Sequence, residues 1–226
     1  MIEQVVFDSL QELQSAVRDL LVEAFAGHGS GPFAVMLSGG STPLPVYEQL
    51  STQDVRVSQH LHILFSDDRL VEPDSPESNA GNTRPMLDAL RISGERILCV
   101  DGRMPPRVAA GRYDQAIKTF LDQGGALPLG ILGLGADGHT ASLFSLEDAG
   151  NTSAYAIPVH REDGPDRVSV TSKLLAQVER IIFMVAGSSK KEMVHALLTH
   201  PESVPSGVAV SRNPVVEIWM DREAKP

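Results

Sequence analysis

Three stretches of this chain carry residue types whose spacing suits chemistry. The first is Asp137-Gly138-His139. A histidine two residues after an aspartate on a loop can serve as a general base oriented by that carboxylate, and imidazole suits proton transfer near neutral pH. The second is Ser38-Gly39-Gly40-Ser41-Thr42-Pro43. Free amides and the dipole at a helix start make a phosphate cradle, and the two hydroxyls add donors. The third is Phe65-Ser66-Asp67-Asp68-Arg69, with Ser78-Asn79 downstream. An arginine at a strand end offers a planar fork to phosphate or carboxylate. Taken singly, each also has a plainer reading: a surface histidine, a tight turn with its cap, a solvated charge cluster.

Other chemistries find little support. Gly133-Leu134-Gly135-Ala136-Asp137-Gly138 matches the dinucleotide fingerprint, but it lies in mid-chain. Where an acid should hold the ribose stands Ala156-Ile157-Pro158, and His139 follows the third glycine. No nicotinamide cofactor is expected. There is no Gly-Lys-Ser/Thr loop and no Gly-x-Ser-x-Gly elbow. His60 and His62 share a strand face without a Cys or carboxylate ligand set, and His195 and His200 are off the helical i, i+4 spacing, so no metal is expected. Cys99 reads as a buried strand residue.

The elements that must position these stretches follow from periodicity. Ser9-Leu10-Gln11-Glu12 is a capping box, and Leu10, Leu13, Val17, Leu20, Leu21, Ala24 and Phe25 continue it as a helix to Gly27. Phe33–Leu37 predicts a strand, and a helix starts at Pro43. Leu61–Phe65 predicts a strand, Asp67–Asn79 a polar loop, and Ala80–Arg91 a helix disturbed by Pro85. Further on, strands are expected at Arg96–Val100, Leu127–Leu134, Arg167–Thr171, Ile181–Val185 and Val215–Met220. Helices are expected at Val108–Leu121, Lys173–Val178 and Ser188–Leu198. Continuously apolar strands alternating with helices imply an α/β fold, with a mainly parallel sheet covered by helices on both faces. Arg103–Pro106 is a candidate joint, but no linker is long enough to separate domains, so residues 1–226 read as a single domain. Sheets of this kind bind ligands at the strands' carboxyl ends.

Composition bounds the function. Nineteen Lys+Arg against 29 Asp+Glu give a formal charge of −10, which argues against a nucleic-acid partner. The single cysteine cannot form an internal disulfide, and the first residues lack a basic and apolar leader. No apolar run approaches the ~18 residues of a membrane span. A cytoplasmic protein with no membrane partner is expected. With an acidic average, an anionic ligand would need a local patch of opposite sign.

In combination, the stretches resemble the 6-phosphogluconolactonase family, relatives of glucosamine-6-phosphate deaminase. The resemblance rests on Leu37–Pro43, on Ser66–Arg69 with Ser78-Asn79, and on Leu132–Phe144 with its Asp-Gly-His centre. Arg167–Thr171, Val185–Lys190 and Trp219–Ala224 resemble the family's later motifs, in the family's order across the chain. Asp68 stands where the family commonly has Glu, and Ser75 where it commonly has His. The resemblance implies a modified Rossmann-like (NagB/RpiA-like) fold and hydrolysis of 6-phospho-D-glucono-1,5-lactone to 6-phospho-D-gluconate without a cofactor. It implies that His139 activates water, with Asp137 or Asp67 orienting the imidazole or sugar hydroxyls and Arg69 nearby. Gly40, Ser41, Thr42, Asn79, Gly138, Arg167 and Lys190 would bind the substrate and its phosphate. A monomer or weak homodimer is expected. A deaminase would follow Asp-Gly-His with an Ala-Phe-Asn-Glu-Pro type segment, whereas Thr140–Phe144 follows here. A non-catalytic sugar-phosphate sensor remains the alternative of another class. The joint expectation is a small positive cleft in an acidic protein.

Overall fold

The computed structural model describes residues 2–27 and 29–226. In chain order the strands are β1 (Glu3–Phe7), β2 (Phe33–Leu37), β3 (Leu61–Phe65), β4 (Asp67–Arg69), β5 (Ile97–Leu98), β6 (Ala126–Leu132), β7 (Ala156–Val159), β8 (Arg167–Val170), β9 (Ile181–Val185) and β10 (Val216–Asp221). The helices are α1 (Leu10–Ala26), α2 (Leu44–Ser51), α3 (Asn79–Ala89), α4 (Pro106–Asp122), α5 (Leu146–Ala149), α6 (Ser172–Leu175), α7 (Lys191–Thr199) and α8 (Pro205–Val210).

Seven strands form one parallel sheet in the order β1-β10-β9-β6-β2-β3-β5. Its three middle strands, β9, β6 and β2, are apolar at every position because both faces are covered. Along β2, Ala34 and Met36 enter one core while Phe33, Val35 and Leu37 enter the other. The second core is closed by α1, α2 and α3 through Leu13, Val17, Leu21, Tyr47, Leu50 and Met86. The first is closed by α4, α6, α7 and α8 through Tyr113, Ile117, Leu174, Val194 and Ala209. Helices therefore cover both faces, as the alternating pattern implies.

The capping box forms with a shift. Ser9 Oγ accepts from the Glu12 amide, but the Glu12 carboxylate takes the Asp8 amide, one residue before the cap. Pro85 sits inside α3, and the helix runs through it.

Three expectations need correction. Asp67–Asn79 is not loop throughout: β4 pairs antiparallel with β8, and β8 with β7, in a separate three-stranded sheet. Nothing within three consecutive polar residues signals a strand whose partner lies a hundred or so positions away. The strand expected at Arg96–Val100 shrinks to two residues behind a 3₁₀ turn at Gly94–Arg96, because β5 is an edge strand paired on one side only. Cys99 accordingly lies past the strand end and is exposed rather than in the core.

Candidate active site

The order of connections reverses between β2 and β6. From β2 the chain moves outward through β3 to β5, then returns to β6 and moves the other way through β9 to β10. Loops leaving the carboxyl ends of β2 and β6 therefore diverge and leave a crevice between them. Two buried phenols fix its rim. Tyr47 Oη donates to the Ser38 carbonyl at 2.9 Å. Tyr113 Oη donates to the Phe65 carbonyl and accepts from the Phe65 amide at 3.1 Å, at the point where β3 gives way to β4. Burial pushes the Tyr113 phenol far above its ordinary range, so it stays a donor.

From β2 the chain turns through Gly40, whose φ of 110° belongs to the left-handed region that a side chain disfavours. Pro43 then opens α2, which has no side-chain cap on its first amides. Ser38 Oγ is buried here without a partner.

From β6 comes the tight loop carrying the aspartate and histidine. The Gly135 amide donates to the His139 carbonyl at 2.8 Å, and Thr140 Oγ1 donates to the Gly133 carbonyl at 2.9 Å. His139 Nδ1 is hydrogen-bonded to Asp137 Oδ1. A Cβ on Gly135 would lie 2.2 Å from His139 Nδ1, so the pair can form only over a bare backbone. Burial alone would raise the Asp137 carboxyl, but the His139 hydrogen bond and charge outweigh it and hold the carboxyl below its usual range.

From β3 comes β4, held by two buried carboxylates. Asp67 accepts from Ser66 Oγ at 2.9 Å and from Ser142 Oγ at 2.5 Å, which ties β4 to the segment after His139. Asp68 accepts from the amides of Arg69, Asn79 and Ala80 at 2.8, 2.7 and 3.0 Å, which ties β4 to the start of α3. Burial still pushes the Asp68 carboxyl up despite these amides. The shorter acid noted in the sequence thus reaches the helix amides directly.

The β4–β8 register places Arg69 directly opposite Arg167. Like charges at such a pair disfavour each other. Each has a buried Nε without a partner. Arg69 Nη1 donates to the Glu77 carbonyl at 2.7 Å, and Arg167 Nη1 reaches Ser142 Oγ at 3.5 Å. Burial and the adjacent Arg69 lower the Arg167 pKa. Neither arginine, nor Lys190 in the turn after β9, forms an ion pair among the described residues.

A cleft of about 230 Å³ joins these pieces. Gly40, Ser41, Thr42, Asp67, Arg69, Asn79, His139, Arg167 and Lys190 all line it. Asp137 stands behind His139, and Gly138 turns against Met193 and Val204, so neither lines the cleft. Asn79 is buried, with Nδ2 donating to the Asp67 carbonyl at 2.9 Å, which makes it a brace of the wall. The described residues contain no group of three or more His, Cys, Asp or Glu able to hold a metal ion, and no helix long and apolar enough to cross a membrane.

A family model described as glucosamine-6-phosphate isomerases/6-phosphogluconolactonase matches residues 8–218. The chain belongs to this family. A 6-phosphogluconolactonase of Haemophilus influenzae is 34% identical over 201 residues, covering 85% of this chain and 86% of the relative. A solved structure described as devB protein has a TM-score of 0.88 at 30% identity, covering 99% and 98% of the two chains. The solved 6-phosphogluconolactonase of Thermotoga maritima has a TM-score of 0.81 at 26% identity, covering 98% and 99%.

Sequence reasoning missed five residues in or around this cleft: Ser38 and Gly135 in its lining, Ser142 on Asp67, and the pair Phe144 and Arg161, joined by a cation–π contact, next to His139. Ser38, Gly135, Ser142 and Phe144 lie inside stretches already singled out, so the type of each was visible but its direction was not. Arg161 lies between β7 and β8, where no periodicity marks it.

Proposed function

We propose that this chain hydrolyses 6-phospho-D-glucono-1,5-lactone to 6-phospho-D-gluconate in the oxidative branch of the pentose phosphate pathway. The observation that carries the reading is the cleft itself. It puts two facing, unpaired arginines and a lysine within one small space that also receives a carboxylate-braced imidazole. Half-buried cations without an ion-pair partner are costly, and an anionic ligand relieves that cost. The 6-phosphate would lie against Gly40, Ser41 and Thr42, within reach of Arg69, Arg167 and Lys190.

The reaction needs one proton carrier. His139 donates Nδ1–H to Asp137, which leaves Nε2 as the acceptor. Nε2 takes a proton from water while the resulting hydroxide attacks the lactone carbonyl, whose oxygen becomes an oxyanion. Collapse re-forms the carbonyl, breaks the bond to the ring oxygen and returns the proton from Nε2 to that oxygen. The liberated carboxylic acid then ionises. Cationic side chains and loop amides facing the carbonyl would stabilise the oxyanion. No metal or nucleotide takes part in this sequence, and the protein would act in the cytoplasm as a monomer or weak homodimer.

The test is acid release from freshly prepared lactone, timed against spontaneous opening. Acceleration by the purified chain is expected, and none would overturn the reading. Binding of 6-phosphogluconate without turnover would favour a sensor. Ammonia release from glucosamine 6-phosphate would favour a deaminase.

A further inference from the structure

We propose that Phe144 is a positioning residue for His139, an aromatic plate that touches the imidazole and is itself held by a cation–π contact with the Arg161 guanidinium. The proposal rests on the lactonase reading, in which His139 moves the proton.

An imidazole held by one hydrogen bond still turns about that bond. Asp137 supplies the one bond, and its side chain is 61% exposed, so water competes for it. A second contact has to fix the ring plane. Phe144 supplies it, with ring centroids 4.5 Å apart and planes tilted by 48°. Tilted aromatic pairs at this separation are favourable beyond simple burial.

Phe144 is itself held. Leu143 beside it is fully buried, and its amide closes a turn on the Thr140 carbonyl at 2.9 Å. In that turn Ala141 takes a φ of 49°, a strained setting for a residue with a side chain, which is tolerated where surrounding structure fixes it. The Arg161 guanidinium carbon lies 4.1 Å from the Phe144 centroid, and that of Arg167 lies 5.4 Å away. Arg161 Nε is buried without a partner, so the ring face is a principal contact of that side chain. Asp166 anchors the strand approach by accepting from the Arg161 amide at 3.3 Å. The line of contact runs from the second sheet through Arg161 and Phe144 to the imidazole. It reaches a residue whose own loop belongs to the first sheet.

The test is steady-state hydrolysis of fresh lactone. Phe144→Leu keeps apolar volume without the plate, and kcat should fall about tenfold with KM within about twofold. Phe144→Tyr should restore kcat to within about threefold of wild type. Combined with Asp137→Asn, the Leu variant should lose less than the product of the two single losses, because both residues orient one ring. An unchanged kcat in a folded Phe144→Leu, or a change confined to KM, overturns the proposal. If that variant does not fold, Arg161→Gln decides. A kcat drop of about threefold supports the plate, and an unchanged kcat overturns it. Should wild type leave the lactone untouched, the lactonase reading falls, and imidazole NMR still decides the positioning. A Phe144 ring-current shift on His139 that Phe144→Leu removes supports the contact, and its absence overturns it.

Discussion

Two walls of the same cleft are built on opposite principles. The Asp137–His139 wall is local: donor, acceptor and the turn that joins them lie within five residues, from Gly135 to His139. The carboxylate there is half in water. The Asp67–Arg69 wall is long-range. It depends on β8 for its strand partner, on Ser142 for one carboxylate and on the start of α3 for the other. Both of its carboxylates are buried. The group proposed to react is thus set by a short piece of chain, while the groups that would hold the anion are set by the whole fold.

Removing one group from each wall should separate chemistry from binding. His139→Ala should lower kcat about 10²–10⁴-fold while leaving 6-phosphogluconate affinity near wild type, measured by stopped assays and calorimetric titration. An equal loss in both would merge the two walls into one function. Arg167→Ala should do the reverse, weakening 6-phosphogluconate binding about 10–100-fold. Its ligand-free Tm should hold or rise, since the substitution relieves a like-charge pair across β4 and β8. A fall in Tm would show that the arginine is structural.

The carboxylates should also answer pH in opposite senses. Burial holds Asp68 above its usual range, so its contribution is present at low pH and is lost as pH rises through the raised value. His139 holds Asp137 below its usual range, so its contribution is present at neutral pH and is lost as pH falls through the lowered value. In thermal melts across the acid range, Asp137→Asn should flatten the loss on acidification. Asp68→Asn should flatten the decline on the rising side, at a cost of about 1–3 kcal/mol from mismatched amides. Parallel responses would remove the distinction between the walls. The smallest effect belongs to the turn beyond His139: Ala141→Gly should raise stability by up to about 1 kcal/mol, because glycine relaxes the positive φ. A lower Tm would mean that the turn carries no strain.

The contrast explains what could be read from residues alone. Phe33–Leu37 and Ile181–Val185 have their strand limits written in apolar runs, because central parallel strands are apolar on both faces, and Leu61–Phe65 is broken only by His62. His139 and Gly40 sit where strand ends and glycines announce a turn. β4 and the Arg69–Arg167 facing were not legible, since a polar three-residue strand carries no periodicity and its register is decided by distant β8. β1 and β7 were missed for a related reason: both lie at sheet edges, with mixed exposure along β1 and a proline in β7. Cys99 was misplaced because a strand's length depends on how much neighbour it has, which the apolar run does not state.

The antiparallel clip of β4 on β8 has a kinetic side. Asp67 and Ser169 lie roughly a hundred residues apart in sequence, so their pairing requires closure of a long loop and contributes high contact order. Until that closure the two arginines are separate, and on the proposed reading a phosphorylated sugar acid would have nothing to grip. A ligand of the completed cleft would therefore leave the refolding rate nearly unchanged and slow unfolding, acting as a latch on a door that has already shut.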